Sequence, residues 1–277
     1  MPETPPRRRK PVKPKRASAR DRARRAGPET VWLFGLHAVR DALANPRRKR
    51  RRLIVTPNAA AKLAGAIAGA GIAPEIADPR KFPAPLDPQS VHQGAALEAE
   101  PLDWGGLEAL CAPNRDHPAP LVVLLDRVTD PHNVGAILRS AEVFGARAVV
   151  APRHHSAPET GALAKSASGA LERQPYLRVR NLGDAMQELA EMGYALIGLD
   201  ASGEPALGTA IAAAASQPIG LVLGAEGAGL RQRTRGLCGT LARISAVTEF
   251  GSLNVSNAAA VALNAASESQ RYARKPG

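Results

Sequence analysis

The feature that most restricts this chain is a series of short, unbroken apolar runs in its C-terminal half, separated by segments of helical character. Leu121-Val122-Val123-Leu124-Leu125, Ala148-Val149-Val150, Ala195-Leu196-Ile197-Gly198-Leu199 and Ile219-Gly220-Leu221-Val222-Leu223 have strand length and no polar alternation. A strand that is apolar on both faces must be covered on both faces, which is the condition inside a parallel sheet flanked by helices. Val134–Phe144, Gly161–Leu171 and Asp184–Met192 are the expected crossover helices. Ligands of an open parallel sheet bind at the carboxyl ends of its strands, so chemistry is expected in the loops that follow these runs.

The N-terminal half predicts a second, smaller α/β unit. Val31-Trp32-Leu33-Phe34 leads into a helical pattern through Leu43, Leu53-Ile54-Val55 is strand-like, and an Ala-rich stretch from Ala59 to Ala70 precedes a short apolar run around Ile76. The expected organisation is a basic tail over 1–29, a small α/β domain over 30–100, a Pro- and Gly-containing linker over 101–119, an α/β domain over 120–270 and a short tail over 271–277. Aromatic residues make up only 3% of the chain, so both cores must be built from Leu, Val, Ile and Ala. The two cysteines, Cys111 and Cys238, provide neither a disulfide framework nor a metal-ligand spacing. No metal is expected, and a reducing cytoplasm is the expected setting. No segment approaches the ~20 apolar residues that span a bilayer, so neither membrane insertion nor secretion is indicated.

The net charge of +12 is unevenly spread, because residues 1–27 hold 11 Lys/Arg against only Glu3 and Asp21. Such a Pro/Arg/Lys tail cannot bury enough surface to offset its ordering entropy, so disorder is expected, with polyanion binding by counterion release. A second basic run, Arg47-Arg48-Lys49-Arg50-Arg51-Arg52, is equally compatible with a solvated face and with RNA contact.

Three loops carry candidate chemistry. In Pro131-His132-Asn133-Val134-Gly135-Ala136-Ile137-Leu138-Arg139-Ser140-Ala141, Asn133 falls where a helix N-cap is expected, and Arg139 lies off the apolar stripe of Val134, Ile137, Leu138 and Ala141. A cap and a solvated helix residue are their plain structural readings. His132 has no ligand partner at a useful spacing and reads as a loop residue. Gly224-Ala225-Glu226-Gly227-Ala228-Gly229-Leu230 follows a strand directly. Its glycines allow either a tight turn or close backbone approach to a ligand, and their order is not that of a dinucleotide fingerprint. In Ser252-Leu253-Asn254-Val255-Ser256, Ser252 or Asn254 can cap an Ala/Val-rich helix poor in charge, which is expected to be buried in a core or subunit interface.

Together these three loops resemble the signature motifs of the SpoU (TrmH-type) family of RNA ribose 2'-O-methyltransferases. Arg153-His154-His155-Ser156-Ala157, Lys165-Ser166-Ala167-Ser168-Gly169-Ala170 and Gly35-Leu36-His37-Ala38-Val39 are similar to the subgroup that methylates a guanosine in the peptidyl-transferase loop of 23S rRNA. The resemblance implies a trefoil-knotted, parallel-sheet α/β methyltransferase domain and an N-terminal L30e-like domain that grips RNA. It also implies a homodimer through the C-terminal domain, with the active site built across the interface. Gly224, Ile244 and Leu253 would line an S-adenosylmethionine pocket, while Asn133, Arg139, Glu226, Ser252 and Asn254 would form the catalytic and ribose-binding set. One departure falls in the cofactor loop, where the family carries Ile-Pro-Met followed by glycine and this chain has Ile244-Ser245-Ala246 and then Thr248.

Neutralising a guanidinium near pH 7 would cost about 8 kcal/mol. Arg139 is therefore expected to act as a cation, on a phosphate or on developing alkoxide charge, and not as a base. Glu226 would orient Arg139 or Asn133. The other readings are a tRNA ribose 2'-O-methyltransferase, a catalytically silent RNA-binding protein and a nucleotide-dependent oxidoreductase, the last disfavoured by the glycine order.

Overall fold

The computed structural model describes residues 30–87, 90–247 and 253–273. The basic tail, Ser252 and the last four residues lie outside the described residues, so the expectations placed on them have no structural counterpart here. The N-terminal unit comprises β1 (Val31–Phe34), α1 (Leu36–Ala44), β2 (Arg50–Val55), α2 (Pro57–Ala70), β3 (Pro74–Ile76) and β4 (Ala95–Ala99). Its sheet runs β1-β4-β2-β3, with β4 antiparallel to both neighbours and β3 parallel to β2. Helix α2 starts where Thr56 accepts a hydrogen bond from the Ala59 amide and Pro57 occupies the first turn. Strand β4 was not anticipated, since Ala-Ala-Leu-Glu-Ala has little strand propensity. Pairing on both sides between β1 and β2 overrides that preference.

The C-terminal unit continues with α3 (Leu107–Cys111), β5 (Leu121–Asp126), α4 (Pro131–Val143), β6 (Ala148–Pro152) and α5 (Gly161–Ala167). A 3-10 turn (Ala170–Glu172) leads to β7 (Tyr176–Val179), α6 (Leu182–Glu191), β8 (Ala195–Leu199), α7 (Leu207–Ala213), β9 (Ile219–Gly224), α8 (Gln232–Leu237), β10 (Thr240–Ala242) and α9 (Val255–Ala273). Its six-stranded sheet runs β10-β8-β9-β5-β6-β7 and is parallel at every pairing, as the apolar runs predicted. All six residues of β5 are buried, with Val123 and Leu125 in one core and Val122 and Leu124 in the other. The two edge strands, β7 and β10, escaped the sequence reading because edge positions tolerate polar residues and do not form a continuous apolar run.

Three local features differ from expectation. The helix expected over Gly161–Leu171 breaks after Ala167, where Ser168 and Gly169 both take positive φ. The expected linker contains α3, whose Leu107 and Cys111 are buried. Helix α9 is not covered all round. Val255, Ala259, Ala262, Leu263 and Ala266 are buried, whereas Val261 on the other face is 44% exposed.

The two units meet through a buried ionic joint. The Arg48 side chain is fully buried, and its Nη2 donates to Glu172 Oε1 at 2.6 Å and its Nη1 to Glu159 and to the Glu100 carbonyl. Asn45 Nδ2 donates to Glu172 Oε2 at 2.8 Å, and Arg173 reaches back to Asp41 at 3.4 Å. Burial pushes the Glu159 carboxyl above its usual range despite the opposing pull of Arg48. Every other member of the basic run is also engaged. Arg47 stacks 4.5 Å from the Trp104 ring centroid, Lys49 and Arg51 pair with Glu100, Arg50 donates to the Leu43 carbonyl, and Arg52 pairs with Glu75 at 2.9 Å.

Candidate active site

Three chain segments converge at the carboxyl end of β9. Helix α4 is capped by Asp130, not by Asn133 as expected. The Asp130 carboxylate accepts from the amides of His132 and Asn133 at 3.1 and 3.2 Å, and Pro131 occupies the first turn. Because Asp130 takes the capping task, the Asn133 side chain is free for other partners. Close approach of α4 to α5 depends on Gly135, where a Cβ would lie 2.5 Å from Ser166 Cβ and 2.8 Å from the Leu163 carbonyl.

The glycine loop places the second partner. Ala225 and Gly229 bridge, and the loop folds back so tightly that a Cβ on Gly224 would stand 2.1 Å from the Gly229 carbonyl carbon. Gly224 is thus demanded by its own loop, which exposes Glu226. Asn133 Nδ2 donates to Glu226 Oε1 at 3.2 Å, and Asn254 Nδ2 donates to Glu226 Oε1 at 2.5 Å and to Asn133 Oδ1 at 2.9 Å. The Asn254 Oδ1 caps α9, accepting from the Ser256 amide at 2.8 Å. Capping and site building are therefore compatible in Asn254, one atom serving each. The Val255 amide lies 3.5 Å from Glu226 Oε1, so this carboxylate sits at the start of α9, where the helix dipole favours a negative charge.

Not every expected residue joins this cluster. Arg139 is exposed on α4 and has no side-chain partner among the described residues. Six residues beyond Asn133, it lies about 9 Å further along the helix and about 240° around it. Ile244 is partly buried against the main core, while Leu253 is 50% exposed. A cavity lined by Ser202, Gly203, Pro205, Cys238 and Leu241 opens near the ends of β8 and β10 without including Asn133, Glu226 or Asn254. Beside it, burial alone would raise Asp200, but hydrogen bonds from Ser202 and the charge of Arg235 hold it below the usual carboxylate range.

Sequence reasoning missed Asp126, a fully buried carboxylate ending β5. It accepts from the Arg231 amide at 3.1 Å and from Arg231 Nε at 2.7 Å, tying the end of the glycine loop to the central strand. An acid directly after an apolar run is a readable signal, since buried acids need partners. His132 Nδ1 lies 2.9 Å from Ser166 Oγ, which joins α4 to α5. Among the described residues no three His, Cys, Asp or Glu side chains are grouped to hold a metal ion, and no helix is long and apolar enough to cross a membrane.

Residues 120–264 match the SpoU rRNA Methylase family model, and residues 32–104 match one for RNA 2'-O ribose methyltransferase substrate binding. An uncharacterised tRNA/rRNA methyltransferase of a Synechocystis species is 35% identical over 237 residues, covering 83% of this chain and 60% of that protein. The 23S rRNA (guanosine-2'-O-)-methyltransferase RlmB of Ralstonia nicotianae is 43% identical over 173 residues, covering 62% and 68% respectively. The chain spans 55% to 60% of the length of several of these relatives. Among solved structures, the SpoU methyltransferase AviRb from Streptomyces viridochromogenes, in complex with AdoMet, is 25% identical with a TM-score of 0.72, covering 94% of this chain and 96% of that one.

Proposed function

The chain belongs to the SpoU rRNA methylase family, and from that membership we propose that it methylates a ribose 2'-hydroxyl in RNA, a guanosine of 23S rRNA being the substrate. The observation that carries this reading is the meeting of Asn133, Glu226 and Asn254, from three separate chain segments, at the carboxyl end of a parallel sheet. A cluster of two amides and one carboxylate positions a hydroxyl by hydrogen bonding, and positioning is what an in-line displacement chiefly requires. Oε1 of Glu226 is already occupied by Asn133 and Asn254, which leaves Oε2 to accept from the ribose hydroxyl.

S-adenosylmethionine would supply the methyl group on a sulfonium. The residues fit such a ligand, since Gly227 and Gly229 leave open space where a Cβ would stand and Leu253, directly before Asn254, offers a half-exposed apolar surface. Gly224, Ile244 and Leu253 are the residues assigned to holding it.

Arg139 completes the site as a cation contributed by a second copy of the chain. Its isolation from the cluster within one chain supports that assignment. So do exposed Val143 on α4 and exposed Val261 on α9, apolar side chains suited to a homodimer through the C-terminal unit. The return of α9 to pack beside α4, α7 and β9 supports the trefoil knot, and the substrate-binding match over 32–104 supports an L30e-like RNA-binding role for the N-terminal unit in a cytoplasmic enzyme.

The test is methyl transfer from labelled S-adenosylmethionine to a 23S rRNA transcript and, in parallel, to total tRNA. Label is expected on a ribose of 23S rRNA, and Asn133→Ala and Glu226→Gln should each lower kcat on the order of a hundredfold while leaving thermal unfolding unchanged. Label on tRNA alone would move the substrate assignment, and no label on either RNA would end the enzymatic reading.

A further inference from the structure

The residues that directly follow the sheet strands reveal a charge pattern that the one-dimensional sequence conceals. Strands β5, β6 and β7 are adjacent and parallel, and each is followed at once by an arginine: Arg127, Arg153 and Arg180. The registers Leu124↔Val150 and Pro152↔Val179 carry forward to place Arg127 beside Arg153 and Arg153 beside Arg180. The Arg153 amide still donates to the Val179 carbonyl at 2.7 Å, so the β6–β7 alignment persists past the strand ends, while the loops after β5 and β6 stay together where the Ala157 amide donates to the Val128 carbonyl at 3.3 Å. With strands ~4.8 Å apart, the three Cα positions span roughly 10 Å along the carboxyl edge. The next strand in the order is β9, whose following loop bears Glu226.

All three arginines are exposed, and none forms an ion pair with a carboxylate among the described residues. Arg178 strengthens the arrangement, since its Nη2 donates to the Arg153 carbonyl and Arg153 Nε donates to the Arg178 carbonyl at 2.9 Å. Arg127 stands at φ 60, a conformation that side chains other than Asn, Asp or Gly rarely adopt. Like charges gathered at neighbouring strand ends without ion-pair partners among the described residues repel one another in the free protein, and an anion laid along them relieves that repulsion.

We propose that Arg127, Arg153 and Arg180 form a phosphate track that holds the RNA backbone next to the target nucleotide and leads it to Glu226. The inference rests on the ribose-methyltransferase reading for the RNA it invokes, yet it assigns binding to a surface of the C-terminal unit outside residues 32–104. Arginine suits the task, because its planar fork pairs with phosphate oxygens in two-pronged fashion. The track fixes position without reading bases, so the specificity of the reaction must come from elsewhere.

The experiment uses the full chain, a labelled single-stranded 20-nucleotide RNA of mixed sequence, and the 23S rRNA transcript. Affinity for the oligonucleotide is measured against salt for wild type, for Arg127→Asn/Arg153→Ala/Arg180→Ala, and for an Arg115→Ala/Arg271→Ala control at exposed arginines outside residues 32–104. Each lost phosphate contact removes about 0.7 from the log–log salt slope for single strands, so the triple variant should show a slope smaller by about 2. Its KM for the transcript should rise on the order of tenfold, with kcat and S-adenosylmethionine uptake retained. An unchanged slope in the triple variant, or an equal loss in the Arg115/Arg271 control, overturns the track. Failure of wild type to methylate any RNA instead ends the enzymatic reading, while the salt slopes still decide whether the arginines bind RNA.

Discussion

Two arginine-rich regions of this molecule contrast in a way their sequences would not suggest. The run from Arg47 to Arg52 is the densest charge in the described part of the chain, yet each member is committed to a carboxylate, a carbonyl or an aromatic face. Arg127, Arg153 and Arg180 are scattered over more than fifty positions, yet they follow adjacent strands on one edge and form no ion pair among the described residues, Arg153 alone donating to a carbonyl, that of Arg178. Charge density along a chain is therefore a poor guide to charge available for binding. What matters is which cations have already found partners.

The sharpest way to break this contrast is through stability. Removing Arg48 strands Glu159 and Glu172 as buried carboxylates, so Arg48→Ala should lower unfolding free energy by about 3–5 kcal/mol in urea titration. Arg153→Ala should stay within about 0.5 kcal/mol of wild type. Comparable losses from both would mean that the two regions do not differ in kind. Arg51→Ala and Arg52→Ala probe the exposed end of the run, where pairs with Glu100 and Glu75 should contribute no more than about 1 kcal/mol each to stability in the same titration.

Alkaline pH gives an independent control, because both arginine groups keep their charge there. Burial pushes the Cys111 thiol up to about 12 and the Cys238 thiol up to about 11. An acid whose folded value is raised contributes stability that is complete below its unfolded value, near 8.5, and is lost as pH rises toward the folded value. Stability should accordingly decline from about pH 9 upward, and Cys111→Ala should flatten the decline. A wild-type profile with no decline between pH 9 and 11 would show that neither thiol is protected.

The site itself divides along similar lines. Asn133, Glu226 and Asn254 were identifiable from their motifs because each lies in a loop after an apolar strand or before a helix, and local pattern carries that information. The capping of α4 was misassigned to Asn133 because Asp130 and Asn133 are both good caps. Only the placement of Pro131 and the pull of Glu226 from 93 positions away decide between them. Ile244 is fixed in position by packing against the main core, which no local signal encodes.

The sequence by itself determined the parallel sheet and the identity of its central strands, because strands buried on both faces require continuous apolar runs, and here those runs alternate with helical patterns. Tertiary structure alone decided which charges are spent and which are free. Salt bridges such as Arg48 with Glu172 link residues 124 positions apart, and the arginine row exists only because three parallel strands end level with one another. Both depend on distances in space, which local sequence patterns do not record.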